Sequence, residues 1–186
     1  MRRLALILCA ALAVAPAAAQ AADWIMEPSG SRLEFAATFE KNAASGVFKD
    51  FDVRLRLDPD KPAGGRLDVT VKTTSADMSS TDVNKAIHGS EWFGSARFPQ
   101  AEFHAAEIGR IAANRFVARG MLSLKGAQQA VEVPFTWTGT GDAAVIAGEI
   151  SVDRRLFGIG TGEWAATNVV GAEVKVKFSV KLRRTN

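Results

Sequence analysis

Along most of this chain, apolar and polar residues alternate with a period of two. Leu33, Phe35, Ala37 and Phe39 are spaced in this way, with Arg32, Glu34 and Thr38 among the residues around them. Phe51, Val53, Leu55 and Leu57 repeat the pattern against Asp52, Arg54, Arg56 and Asp58. Leu67, Val69 and Val71 alternate with Arg66, Asp68, Thr70 and Lys72, and Val131, Val133, Phe135 and Trp137 form a further set. Val174, Val176, Phe178, Val180 and Leu182 come last, opposite Glu173, Lys175, Lys177 and Lys181. Successive side chains of an extended backbone point to opposite faces, so each run predicts a strand with one face buried and one in water. Weaker strands are expected around 101–105, 116–124 and 145–152, for a total of about eight.

Turn chemistry separates several of these runs: Asp58-Pro59-Asp60-Lys61-Pro62 with Gly64-Gly65, Lys125-Gly126, and Gly139-Thr140-Gly141-Asp142. Pro134 has no N–H to give to a ladder, so its strand should lie at an edge or carry a bulge there. One stretch, Ser80 to His88, reads as a helix, with Ser80 or Thr81 as its cap, Asp82 in its first turn and Gly89 at its end. The reading is an all-β domain of eight antiparallel strands with one short helix. Such strands close either as a barrel or as a two-sheet sandwich. An eight-stranded barrel is filled by its own side chains or holds one small ligand, and the pattern leaves both open.

The front of the chain has a different character. Arg2 and Arg3 precede an uncharged apolar run from Leu4 to Ala15, followed by Pro16 and the small residues Ala17, Ala18, Ala19 and Ala21. This is the layout of a secretory signal peptide, and the run is shorter than the roughly 20 residues of a membrane-spanning helix. Residues 1–21 are therefore expected to be removed, with the cut after Ala19 or Ala21, leaving residues 22–186 as a periplasmic or secreted domain. Cleavage changes the charge balance from 23 Lys and Arg against 20 Asp and Glu to 21 against 20. A nucleic-acid partner would want a dominant basic face, so none is expected. The single cysteine, Cys9, would leave with the leader, and the remaining domain would have neither disulfide nor thiol chemistry.

Catalytic motifs are scarce. His104 shares a strand face with Glu102, opposite Phe103, and should face water; His88 ends the helix, where a cation suits the dipole. Neither has cysteines or acidic partners at ligand spacing, so no metal and no cofactor are expected. Gly158-Ile159-Gly160-Thr161-Gly162 has Glu163 where a dinucleotide loop would place its third glycine, and reads as a tight corner between strands. An acid/base pair such as Asp77 with Asp82 or Glu91 is the enzymatic arrangement left open. The aromatics Trp92, Phe93, Phe98, Phe157 and Trp164 fit either a packed core or the wall of a pocket.

Several stretches together carry a resemblance. Trp24 followed by Pro28, Ser31 and Phe35 is similar to the opening strand of the YceI-like family of exported proteins. Gly46-Val47-Phe48-Lys49-Asp50-Phe51, closed by Leu57-Asp58-Pro59, resembles its second-strand signature. The segment from Glu91-Trp92-Phe93-Gly94 through Phe98-Pro99 to Phe103 looks like its central block, and Arg155-Leu156-Phe157-Gly158-Ile159-Gly160 onward to Trp164 like its closing motif. The chain departs from the pattern at Ile87-His88-Gly89, where many relatives have a His-Leu pair after the helix.

The resemblance implies an elongated, lipocalin-like barrel around a hydrophobic channel that takes a polyisoprenoid lipid or another long-chain amphiphile. On that basis the chain is expected to be a periplasmic binding protein that carries or stores such a lipid. Each buried CH₂ is worth about 0.8 kcal/mol, so an apolar wall suffices without reactive groups. The expected lining is Phe35, Phe39, Phe51, Val53, Leu55, Trp92, Phe103, Phe135, Trp137 and Phe157. A phosphate-bearing head group would meet a cation, for which Lys41, Lys85, His88, Arg154 and Arg155 are the candidates. Transient contact with a membrane and a homodimer are compatible with this role. Two other readings stand beside it: an enzyme acting on a lipid or quinone head group at the barrel mouth, and a filled barrel that acts through its outer surface.

Overall fold

Strand formation follows the alternation closely. The computed structural model describes residues 21–185, so the expected leader lies outside the described residues apart from Ala21. Strand β3 (Phe51–Leu57) buries Val53, Leu55 and Leu57 and exposes Asp52, Arg54 and Arg56. The same in-and-out rhythm runs through β1 (Ala22–Phe39), β4 (Arg66–Lys72), β6 (Gln100–Ala112), β7 (Arg115–Leu124), β8 (Ala127–Thr140), β9 (Ala143–Asp153) and β10 (Val170–Arg184). These eight strands are antiparallel neighbours in the order β1-β3-β4-β6-β7-β8-β9-β10. Strand β10 then pairs back onto β1, from Trp24↔Arg184 to Phe39↔Val170, and closes the ring. That closure decides between the two architectures: the described residues form an eight-stranded antiparallel barrel with one helix.

Two short strands extend the wall at one end. β1 pairs with β3 through Ala22–Ile25, and its second half pairs instead with β2 (Asn42–Phe48), which meets β5 (Ala76–Asp77). Between the halves the β1–β10 register slips at Glu27/Arg32, where Gly30 takes a positive φ of 85°. The Ser31 hydroxyl bridges this bulge, donating to the Glu27 carbonyl (2.6 Å) and accepting from the Lys181 N–H (3.0 Å).

Pro134 does mark a local edge. The β8–β9 ladder runs from Thr140↔Ala143 only as far as Thr136↔Ala147, after which β8 continues with β7 and β9 with β10. The missing N–H at Pro134 falls just beyond the end of this ladder, where its carbonyl still packs against Gly148.

This end of the barrel is covered by two segments. One carries helix α1 (Thr81–Ile87), whose first turn is capped by the Ser80 hydroxyl accepting from Val83 N–H. Asn84 anchors it from within, accepting from Met78 N–H (2.7 Å) and donating to Asp77 Oδ1 (2.7 Å). The other is the connection from Arg154 to Val169, which contains the glycine run. Gly158, Gly160 and Gly162 all have φ between 61° and 69°, a region open to glycine at little cost. The run is thus part of a cover rather than the tight strand-to-strand corner expected from the sequence. Glu91 joins the two covers, its carbonyl accepting from Gly160 N–H (2.8 Å) and Thr161 N–H (3.0 Å), while Trp92 and Trp164 meet at 5.7 Å.

The opposite end is solid. Trp24 and Trp137 pack edge to face at 5.0 Å, Phe116 and Phe135 stack at 5.6 Å, and Leu55, Leu57, Ala105, Ala118, Ala144 and Leu182 complete the cluster. Such aromatic pairs add about 0.5–1.5 kcal/mol each beyond the area they bury.

Candidate functional site

Between the solid end and the covers lies a cavity of about 460 Å³. Every strand of the ring supplies its inward positions where they lie above the solid cluster, β7 with Leu122 and Leu124. Strand β10 gives most, with Val174, Val176, Phe178 and Val180 in one line, because a period of two keeps all four on the same face. Phe35, Phe48 and Phe93 form an aromatic group on one side, with centroids 5.0–6.5 Å apart. Met78, Val83, Ala86 and Ile87 close the cavity from the helix segment, and Phe157, Ile159 and Trp164 from the other cover. Thr73, Glu102 and Arg154 are the polar residues along this wall.

Of the expected lining, Phe35, Phe39, Phe51, Val53, Trp92, Phe103 and Phe157 border the cavity. Leu55, Phe135 and Trp137 do not. They belong to the solid cluster, Leu55 and Phe135 one inward step and Trp137 two steps further along β3 and β8, and alternation cannot tell how far down a barrel the space extends. Sequence reasoning passed over Val174, Val176, Phe178 and Val180 as wall residues although their alternation was plain. Phe48 and Ile159 border the cavity without a clear periodic signal, and Val170 stands in phase with Val174, two inward steps before it.

The head-group candidates fall in different places. Lys41 is exposed at the β1–β2 turn and Lys85 on the outer side of α1. Each lies two residues from a wall residue that is itself open to solvent, Phe39 (40 % exposed) and Val83 (39 %), which mark the mouth. His88 caps the helix, its Nδ1 3.4 Å from the Ser95 hydroxyl, and does not border the cavity. Arg155 turns outward and forms a two-pronged pair with Asp153, at 3.0 Å and 2.5 Å, which holds that carboxyl down at about 2.

Arg154 has another role. It is 2 % exposed and its guanidinium gives every N–H to a backbone carbonyl. Nε donates to Gly171 (2.9 Å), Nη1 to Ile159 and Gly160 (both 2.8 Å), and Nη2 to Trp164 and Val170 (both 2.8 Å). Five donors for five bonds leaves none for a ligand. Burial lowers its pKa, but an arginine keeps its proton. The side chain therefore ties the second cover to the barrel. Lys125, whose pKa burial also lowers, adds a tie from the β7–β8 turn by donating to the Gly158 carbonyl (2.6 Å).

A family model described as the YceI-like domain matches residues 24–182. Protein YceI of Escherichia coli O6:H1 is 31% identical over 97 residues, 52% of this chain and 50% of that protein; by this measure the chain spans about half the length of that curated relative. A UPF0312 protein of Shewanella oneidensis is 27% identical over 156 residues, covering 78% of this chain and 81% of the other. Among solved structures, BcnA of Burkholderia cenocepacia is similar with a TM-score of 0.81 at 29% identity, over 84% of this chain and 98% of that one. A polyisoprenoid binding domain from Saccharophagus degradans shares the fold at a TM-score of 0.71 and 12% identity, over 87% and 98% of the two chains. The family match begins at the tryptophan of the first strand and ends at the last inward leucine of the closing strand, and this chain belongs to the YceI-like family.

Proposed function

We propose that this protein is a binding protein that holds the apolar chain of an isoprenoid or similar amphiphile in its barrel, with the polar end at the mouth near Phe39 and Val83. The observation that carries this reading is the cavity itself: about 460 Å³ in a wall of valine, leucine, isoleucine and phenylalanine. Pockets of this size and lining bury most of a drug-sized ligand, and area removed from water is worth about 25 cal/mol per Å². The one buried cation on the wall, Arg154, is fully occupied, so recognition of the chain rests on shape and apolarity. In this reading the exposed Lys41 and Lys85 are the cations that meet an anionic head outside the cavity. The description of the Saccharophagus degradans domain as polyisoprenoid binding supports the same ligand class. The layout of the first 21 residues supports a carrier or store that works in the periplasm or outside the cell.

Native mass spectrometry of the protein purified from its own envelope, followed by extraction of whatever is bound, tests this reading. A stoichiometric long-chain species is the expected result. A protein that leaves the envelope without lipid and takes up no apolar probe would overturn it.

A further inference from the structure

We infer that the aromatic cluster at the solid end of the barrel is a stop that sets the length of chain the protein accepts. This inference rests on the binding role proposed above and adds a limit that the role alone does not contain.

The cavity ends at one level on strand after strand. On β8, Val131 and Val133 border it and Phe135, the next inward residue, does not. On β3 the change falls between Val53 and Leu55, on β6 between Phe103 and Ala105, on β9 between Ile146 and Ala144, and on β10 between Val180 and Leu182. Below that level the interior is closed: Leu55 is 2 % exposed, Phe135 3 % and Leu182 1 %. The space is a blind sac, open toward Phe39 and Val83 and shut toward Trp24.

The composition of the stop explains why it is firm. Its bulk comes from the stacked pair Phe116–Phe135 and the crossed pair Trp24–Trp137, and the smaller members of the cluster are Ala105, Ala118 and Ala144. Alanines have no side-chain rotamers with which to refill a space, so truncating Phe135 should lengthen the sac rather than let it collapse. From Phe39 at the mouth to Leu33, β1 offers about 20 Å of wall at roughly 3.3 Å per residue. That length and the volume fit an apolar chain on the order of 20 carbons, and a much longer polyprenyl tail must leave part of itself outside.

The test is a ladder of prenols of increasing length, geraniol, farnesol, geranylgeraniol and solanesol, competing for an apolar fluorescent probe. Wild-type affinity should rise roughly tenfold or more per added isoprene unit up to geranylgeraniol, then gain less than about threefold for solanesol. In Phe135→Ala the gain should continue to solanesol. In Val133→Phe, which raises the stop and creates no void, it should end one step earlier, at farnesol. Affinity that climbs without a break in wild type, or a break that neither variant moves, overturns the stop and leaves the binding role standing. No competition by any prenol overturns the binding role itself.

Discussion

The Arg154 guanidinium occupies the space that a side chain on Gly160 would need and donates to the carbonyl of that same glycine (2.8 Å). A loop with little regular structure is thereby held to the barrel by one side chain, which also reaches Ile159, Trp164, Val170 and Gly171. The arrangement places a positive charge in the wall of an apolar cavity without offering it to the contents.

Replacing Arg154 should therefore loosen the cover before it alters any charge recognition. Arg154→Met leaves five carbonyls without their donor and should lower stability by about 3–5 kcal/mol in urea unfolding. Arg154→Lys keeps the charge but has a single nitrogen to offer, and should recover less than half of the loss. Full rescue by lysine would show that charge, rather than the fork of donors, is what matters.

Gly160 and Gly158 form a controlled pair. Both have positive φ, 69° and 61°, so alanine at either costs about 1 kcal/mol for the backbone alone. At Gly158 nothing lies within 4 Å of a new Cβ, whereas at Gly160 it would run into Arg154 and approach Trp92 at 3.5 Å. Gly160→Ala should be the more damaging by at least about 1 kcal/mol in thermal or urea unfolding. Equal losses would mean that the loop moves aside freely.

Most of the barrel was legible in the sequence because its strands are one-sided: β3 and β10 could be drawn almost residue by residue from alternation. The helix followed from Ser80 and Gly89, and the local edge from Pro134. The floor of the cavity was not legible. Leu55 and Val53 are the same kind of residue at the same phase of one strand, and only the packing of Trp24, the partner of Leu55 on β1, and of Phe116 from β7 separates core from wall. From the sequence Arg154 reads as a free cation for a similar reason. Its five partners are backbone carbonyls, and carbonyls carry no sequence signature.

The wall itself can be probed by adding a hydroxyl without changing shape. Val176 faces the cavity in the middle of β10, and Val176→Thr buries a polar group that an apolar ligand cannot satisfy, a penalty of about 1–3 kcal/mol. Binding of an apolar fluorescent probe should weaken about five-fold to a hundredfold. Lys175→Thr, on the outer face of the same strand, should leave it unchanged. A similar loss in both variants would locate the probe outside the barrel.

His104 provides a pH-dependent reading of the outer surface. Its Nδ1 lies 2.9 Å from Asp68 and its Nε2 3.4 Å from Glu102, and the Asp68 hydrogen bond does most to raise its pKa above 6.5. A raised value in the folded state means that the stabilisation is complete below the unfolded pKa and is lost as pH rises through the folded one. For a pair this exposed the amount is about 0.2–1 kcal/mol. His104→Gln should thus be less stable than wild type near pH 5.5 and equal to it at about pH 8.5. A gap of constant size across that range would assign His104 to packing instead.

The ring closes through its first and last strands, with Trp24 beside Arg184 and Phe39 beside Val170. A chain that is made, or threaded through a pore, from its N-terminus cannot complete the barrel until the 15 residues of β10 have arrived. Until then β1 and β9 both present an open edge, the state in which strands recruit wrong partners. Contacts of such long sequence separation also fold slowly. The time between synthesis and closure is therefore when these edges stand open to wrong partners, and it ends when the last strand is seated.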